Sequence, residues 1–277
     1  SAEVDEVIIN KNRATGVKMK DGKIFSAKNI ISGAGIMTTY DKLLPKQIVE
    51  KHQLKKQLKT VKRSVSHACL YIGLKGSPEA LKLPKTNYWI YPDKIDHDTA
   101  VDNYVKDLES DFPVVYISFP SAKDSDWSNR YPGKSTIDII TLLPYEPFDK
   151  WKNSTWMKRD EDYVAMKEKI AQRLLNELYK QLPHLKGKIE HYELSTPLTT
   201  KHFINYQEGE IYGLDHTPKR FRQRFLKPRT PIKNFYLTGQ DIVTAGVAAA
   251  LFSGVIATAA ITRKNIIKKV MQHSLIV

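Results

Sequence analysis

The sequence predicts an α/β (α+β) chain in which a parallel-strand part encloses an antiparallel-sheet part. Three stretches predict it. Residues 235–262 run from a short apolar strand, Phe235-Tyr236-Leu237, through Thr238-Gly239-Gln240-Asp241 into residues 242–262, which carry no charge. Residues 30–35 form a second short apolar strand that ends in Gly33-Ala34-Gly35. Between these stretches lie four apolar or aromatic runs separated by Pro- and Asp-rich loops, the pattern of an antiparallel sheet and not of strand-helix-strand units.

Val4, Val7, Ile8 and Ile9 mark a first strand, and Asn10-Lys11-Asn12 supplies turn chemistry. Residues 14–19 begin a second strand, Asp21-Gly22 is a two-residue hairpin signal, and residues 23–27 return as a third strand. Residues 39–59 space Leu43, Leu44, Ile48, Leu54 and Leu58 roughly as a helix, restarted at Pro45. Strands are then expected over 66–73, 88–91, 114–119 and 136–142. Trp89, Tyr91, Tyr116 and Phe119 would give that sheet a large apolar face, for core packing or for lining a long hydrophobic substrate.

Asp160-Glu161-Asp162 opens the clearest helix, its acids complementing the amino-terminal dipole. Tyr163, Met166, Ile170, Leu174, Leu178 and Leu182 form its apolar stripe, and Pro183 follows its end. Residues 193–229 are dense in hydroxyls, Tyr and His, a composition that suits a functional loop or a solvated one. The uncharged run at 242–262 is about as long as a membrane span needs to be. Within it Gly246, Ala250, Gly254, Thr258 and Thr262 recur every four residues, a row that lets a flat ligand or another backbone come close. A strand, a glycine turn and a helix in succession also aim free N–H groups at an electron-rich partner. A cofactor-facing helix is therefore expected here rather than a membrane span.

The formal charge is +14, from 44 Lys and Arg against 30 Asp and Glu. Basic residues cluster at 55–63, 219–229 and 263–269. No zinc-knuckle, helix-turn-helix or ribonucleoprotein signature accompanies them, so the expected partner is an anionic membrane surface and not nucleic acid, and no metal site is expected. Cys69 is the single cysteine and sits in a strand-like run, which predicts a buried, inert thiol. With no internal disulfide and no visible leader, the expected location is cytoplasmic, with peripheral contact at a membrane.

Residues 14–35, ATGVKMKDGKIFSAKNIISGAG, resemble the second-half signature of two-dinucleotide-binding flavoproteins. STPLTT at 195–200, GEIYGLDHTP at 209–218, PRTPIKNFYLTGQD at 228–241 and the small-residue helix are similar to the carboxyl-terminal part of the phytoene-desaturase-like flavoproteins. The retinol-saturase branch shares the YLTGQD form. The resemblance implies a partial FAD/NAD(P)-binding Rossmann-like domain from residues 1–60 and 228–277, around a substrate-binding domain at 61–227. It implies an oxidoreductase that saturates or desaturates C–C bonds of a lipophilic isoprenoid or polyene, retinol- or carotenoid-like, with FAD as cofactor and NAD(P)H as candidate reductant.

Carried over by position, Gly33 and Gly35 end a strand near the cofactor, and Gly239 lets the chain pass close to it. Asp241 would reach ribityl or pyrophosphate hydroxyls, and Gly246-Val247 would begin the helix that faces the flavin pyrimidine. Tyr212 and His216 are the candidate proton sources, ahead of Tyr206 and His202. Gln240 stands where many relatives place the acid directly after the glycine. The amino-terminal G-x-G-x-x-G and its acid about 20 residues on are not found. The implied chain is thus a carboxyl-terminal fragment that alone binds FAD weakly or not at all and does not turn over. The alternative is a basic, membrane-peripheral lipid-binding module without redox activity.

Overall fold

The computed structural model describes residues 2–274, and the chain divides into two compact units, residues 1–64 with 210–277 and residues 65–209. Residues 61–64 and 210–227, which the resemblance places with the substrate-binding part, fold with the parallel strands instead. Leu214 is buried in the core of unit 1, its neighbours bond to the Lys62 carbonyl and the Ser64 N–H, and the buried Asp241 carboxylate accepts from the Leu214 N–H.

Unit 1 opens with a meander of β1 (Val4–Asn10), β2 (Arg13–Met19) and β3 (Ile24–Ser26). Gly16 lets β2 and β3 close up, since a Cβ there would fall on the Phe25 carbonyl oxygen. β4 (Ile30–Ser32) leads into α1 (Ile36–Thr38) and a π-turn at Thr39–Leu43. The helix expected over 39–59 is broken into pieces. Leu44 is extended ahead of Pro45, as the residue before a proline prefers, and Gln53 takes a left-handed conformation between α2 (Lys46–Lys51) and α3 (Leu54–Leu58).

Unit 2 is built on β5 (His67–Lys75), β6 (Tyr88–Ile90), β7 (Val115–Ser118), β8 (Lys134–Leu142) and β9 (Ile189–Ser195), antiparallel throughout in the order β6-β7-β8-β5-β9. Helices α4 (His97–Lys106), α5 (Pro120–Lys123) and α6 (Trp127–Arg130) fill the connections. Helix α7 (Glu161–Gln181) is capped by Asp160, whose carboxylate accepts from the Tyr163 N–H. It buries Tyr163, Ile170, Leu174 and Leu178 in one cluster with Leu70, Ile72, Ile117, Ile137 and Ile139 of the sheet. At about 1.5–3 kcal/mol for each fully buried large apolar side chain, this cluster dominates the stability of unit 2. Helix α8 (Pro197–Ile204) follows β9, opened by a capping box between Thr196 and Thr199.

The expected aromatic face is split by strand alternation. Phe119 continues the Val115–Ile117 side and is fully buried, whereas Trp89 pairs with Tyr116 on the opposite face, ring centroids 4.7 Å apart. Tyr91 lies beyond β6 against His97.

The chain then re-enters unit 1 through α9 (Pro218–Phe221), β10 (Phe235–Leu237), α10 (Val247–Thr262) and α11 (Ile266–Ser274). β10 pairs parallel with β4, Phe235 opposite Ile30 and Leu237 opposite Ser32. Among the described residues no helix is long and apolar enough to cross a membrane.

Candidate functional site

The parallel pair β4–β10 brings two glycine turns side by side. The Thr238 N–H donates to the Ser32 carbonyl at 2.9 Å, so Ser32-Gly33 and Thr238-Gly239 leave the sheet together. Gly239 (φ 97°, ψ −178°) and Gly246 (φ 98°, ψ 168°) occupy backbone conformations open essentially to glycine alone. Ser253, buried on α10, accepts from the Gly239 N–H at 2.7 Å and lies 2.9 Å from the Thr238 hydroxyl, which fixes the helix to the turn.

Helix α10 packs through Ala249, Ser253 and Ala257. The row singled out in the sequence is offset by one residue and points outward. Ala250, Thr258 and Thr262 are exposed, and the two threonine hydroxyls donate back to the Gly254 and Thr258 carbonyls. At its amino end Val247 is 88% exposed, and no side chain caps the first turn.

Asp241 is only 4% exposed. Its Oδ2 accepts from the Ile36 N–H at 2.7 Å and its Oδ1 from the Leu214 N–H at 2.9 Å. The carboxylate thereby ties the start of α1, the 213–214 turn and the turn that follows β10 into one body. Each oxygen serves one backbone N–H, a positioning task that stands beside the ribityl or pyrophosphate contact the resemblance implies. Gly213 is required beside it: its φ is +65°, and a Cβ would fall on Asp241 Oδ1.

The structure places Tyr212 and His216 together, rings edge to face at 6.4 Å. Tyr212 is half-exposed, and its N–H donates to Ser64 Oγ. His216 Nε2 accepts from the Ala245 N–H at 2.8 Å, just ahead of Gly246. Only a neutral ring can accept there, and burial, followed by the Arg220 charge, holds this imidazole below its ordinary pKa. The sign follows directly. The unfolded chain takes up the proton first as pH falls below about 6.5, so what His216 contributes is complete above that value and lost beneath it. His216→Gln is therefore expected to flatten the loss of melting temperature between about pH 7.5 and 5.5, read by far-ultraviolet circular dichroism.

Sequence reasoning missed two groups. Arg220 is buried, donates from Nη2 to the Gln240 carbonyl at 2.8 Å, and keeps Nη1 without a partner among the described residues. Its signal was hidden inside a run that reads as a surface basic cluster. In unit 2, Asp138 stands directly opposite Tyr71 on the face that carries Trp89 and Tyr116. Burial raises the Asp138 carboxyl and pushes Tyr71 up to about 12. An Asp among Thr136, Ile137, Ile139 and Ile140 is the trace it leaves in the sequence. The neighbouring Cys69 thiol is likewise pushed up to about 12 by burial. It should resist alkylation in the folded protein and react fully in denaturant, a difference a thiol-reagent time course reads.

No protein-family model matches the chain. It is 36% identical over 276 residues to the all-trans-retinol 13,14-reductase of Danio rerio, covering 96% of this chain and 45% of that protein. The chloroplastic prolycopene isomerase of Arabidopsis thaliana is 30% identical over 257 residues, 92% of this chain and 40% of that protein. Over 96% of its length the chain is similar to the retinol 13,14-reductases. It spans about 45% of the length of the retinol 13,14-reductases it matches. A protein named an inactive all-trans-retinol 13,14-reductase, from Danio rerio, is 31% identical over 265 residues, so identity at this level does not decide activity. The solved structure of an oxidoreductase from Methanosarcina mazei superposes with a TM-score of 0.52 at 15% identity, covering 95% of this chain and 49% of that one. That likeness speaks for the fold and agrees with the α/β class read from the sequence.

Proposed function

We propose that the chain is part of an FAD-dependent oxidoreductase that adds or removes hydrogen across a C–C bond of a lipophilic polyene. One observation carries the reading: two parallel strands end in glycines beneath a helix whose amino terminus is open. A Cβ at Gly246 would meet nothing within 4 Å, and one at Gly239 only the Gly33 backbone at 3.7 Å, so a flat, electron-rich ring fits that approach. Bound there, FAD supplies hydride transfer. Gly33, Gly35 and Gly239 allow close approach, and the first-turn N–H groups from Val247 onward favour negative charge. Asp241 positions these segments without touching the reacting atoms. His216 holds the Ala245 amide that leads into Gly246, and the Tyr212 phenol is the candidate proton donor beside it.

In unit 2, the Trp89–Tyr116 pair and the polar Tyr71–Asp138 pair supply a face for an apolar chain with a polar end. NAD(P)H is the proposed reductant, and an anionic membrane the proposed setting. The names of the relatives, retinol reductase and prolycopene isomerase, support the substrate class.

The test compares this chain with the same chain joined to a strand-GxGxxG-helix segment. The chain alone is expected to lose FAD on gel filtration and to be inactive. The joined protein is expected to keep one flavin per chain, and a polyene should reoxidise that flavin after reduction. Stoichiometric flavin on the chain alone would end the half-site reading.

A further inference from the structure

Residues 46–63, 219–229 and 263–269 hold 17 of the 44 lysines and arginines but only one of the 30 acids, leaving 27 against 29 elsewhere. The whole positive excess of the chain therefore lies in three segments, and all three belong to unit 1. Fifteen of those side chains are exposed, the exceptions being Arg63, which pairs with Glu210, and the buried Arg220. None of the fifteen makes an ion pair among the described residues. A surface built only for solubility intersperses both signs. This one does not.

The fold joins the three segments. Thr60 donates to the Gln223 side-chain carbonyl at 3.1 Å, tying the end of α3 to the 219–229 segment. An open hollow of about 510 Å³ lies between them, lined by Lys51, His52, Lys56, Gln57, Gln223 and Phe225. At the other end Arg229 donates to the Ala260 carbonyl at 2.8 Å, on the last turn of α10 before Arg263. Apolar side chains stand exposed among these cations. Phe221 is one; Ile267 and Met271 are two more, four residues apart on one face of α11 next to Lys268 and Lys269.

We infer that unit 1 docks on an anionic phospholipid bilayer through these three segments, with the hollow at Lys51, Lys56 and Gln223 receiving a lipid phosphate. Cations alone would suit nucleic acid equally. Exposed apolar groups at helical spacing beside lysines suit the boundary between headgroups and acyl chains. The inference rests on the proposed reading of the protein as an enzyme of lipophilic substrates, which a bilayer would hold in solution.

The test is co-sedimentation of the full chain with phosphatidylcholine vesicles, with and without phosphatidylserine. Binding is expected only with phosphatidylserine and should weaken as salt rises. Each basic side chain near an anionic surface strengthens binding roughly fivefold. The triple variants K51E/K55E/K56E and R222E/R224E/K227E should each weaken it at least about tenfold, whereas K150E/K152E in unit 2 should not. All six basic side chains in the triples are exposed, so unchanged circular dichroism separates lost docking from lost folding. Equal binding to both vesicles, triple variants that bind like the parent, or tighter binding to duplex DNA would each overturn the inference. Vesicle binding requires no flavin, so its failure leaves the oxidoreductase reading standing. Absence of flavin in the joined protein would sink that reading and leave the docking result intact.

Discussion

Replacing Asp241 by Ala is expected to destabilise unit 1 by about 3–6 kcal/mol, the sum of two hydrogen bonds to a buried charged group at roughly 1.5–3 each. The Ile36 and Leu214 N–H groups would lose their acceptor, and the buried Arg220 guanidinium would lose a nearby opposite charge. Asn at this position should recover less than half of the loss, since its amide nitrogen would face one of the two donors. Gly213→Ala should act on the same contact from the other side, pushing the carboxylate off Leu214 and straining a left-handed backbone. The double variant should then cost clearly less than the two single losses added together. All four tryptophans lie within residues 65–209. Urea unfolding followed by tryptophan fluorescence should therefore report a nearly unchanged unit 2, while circular dichroism shows the early loss of unit 1. Coincident, parent-like transitions in both signals would dismiss Asp241 as the clamp.

That contact also marks where the sequence stopped being readable. Asp241 meets Leu214 across 27 positions and Ile36 across 205, and no local pattern encodes such partners. The glycines were legible because their backbone conformations exclude other residues: Gly22 in the hairpin, Gly239 and Gly246 at the site. Helix α7 was legible because its buried positions recur at helical spacing over 21 residues. β9 was missed because Glu190, His191 and Glu193 occupy an edge strand in which only Leu194 and Ser195 are buried. α4 was missed for the same reason, having just Ala100 and Tyr104 to mark its inner side. The offset on α10 has a further cause. Helix α10 is apolar all round, its small residues mixed with Leu251, Phe252, Ile256 and Ile261, so composition cannot say which row packs. The hydrogen bond between Ser253 and the Gly239 N–H decides it, and that bond belongs to the tertiary fold.

The opposite trade of stability and function is expected at Val247. This residue is 88% exposed in the first turn of α10 and packs against little, so the fold gives no reason for a β-branched apolar side chain there. Asp in its place should stabilise the helix by about 0.3–1 kcal/mol through the macrodipole. If the first turn faces the pyrimidine side of a flavin, as proposed, the same carboxylate opposes the charge that reduction develops there. A unit charge at roughly 6 Å, with an effective dielectric near 20, repels by about 3 kcal/mol, or about a hundredfold in affinity for the reduced cofactor. Val247→Asp in the joined, flavin-retaining protein should thus raise the melting temperature of the flavin-free form. It should also lower the flavin reduction potential and slow or abolish polyene reduction. Val247→Asn, which keeps the size and removes the charge, should restore most of the potential. A higher melting temperature with an unchanged potential would mean that this helix end, however open, does not face the cofactor.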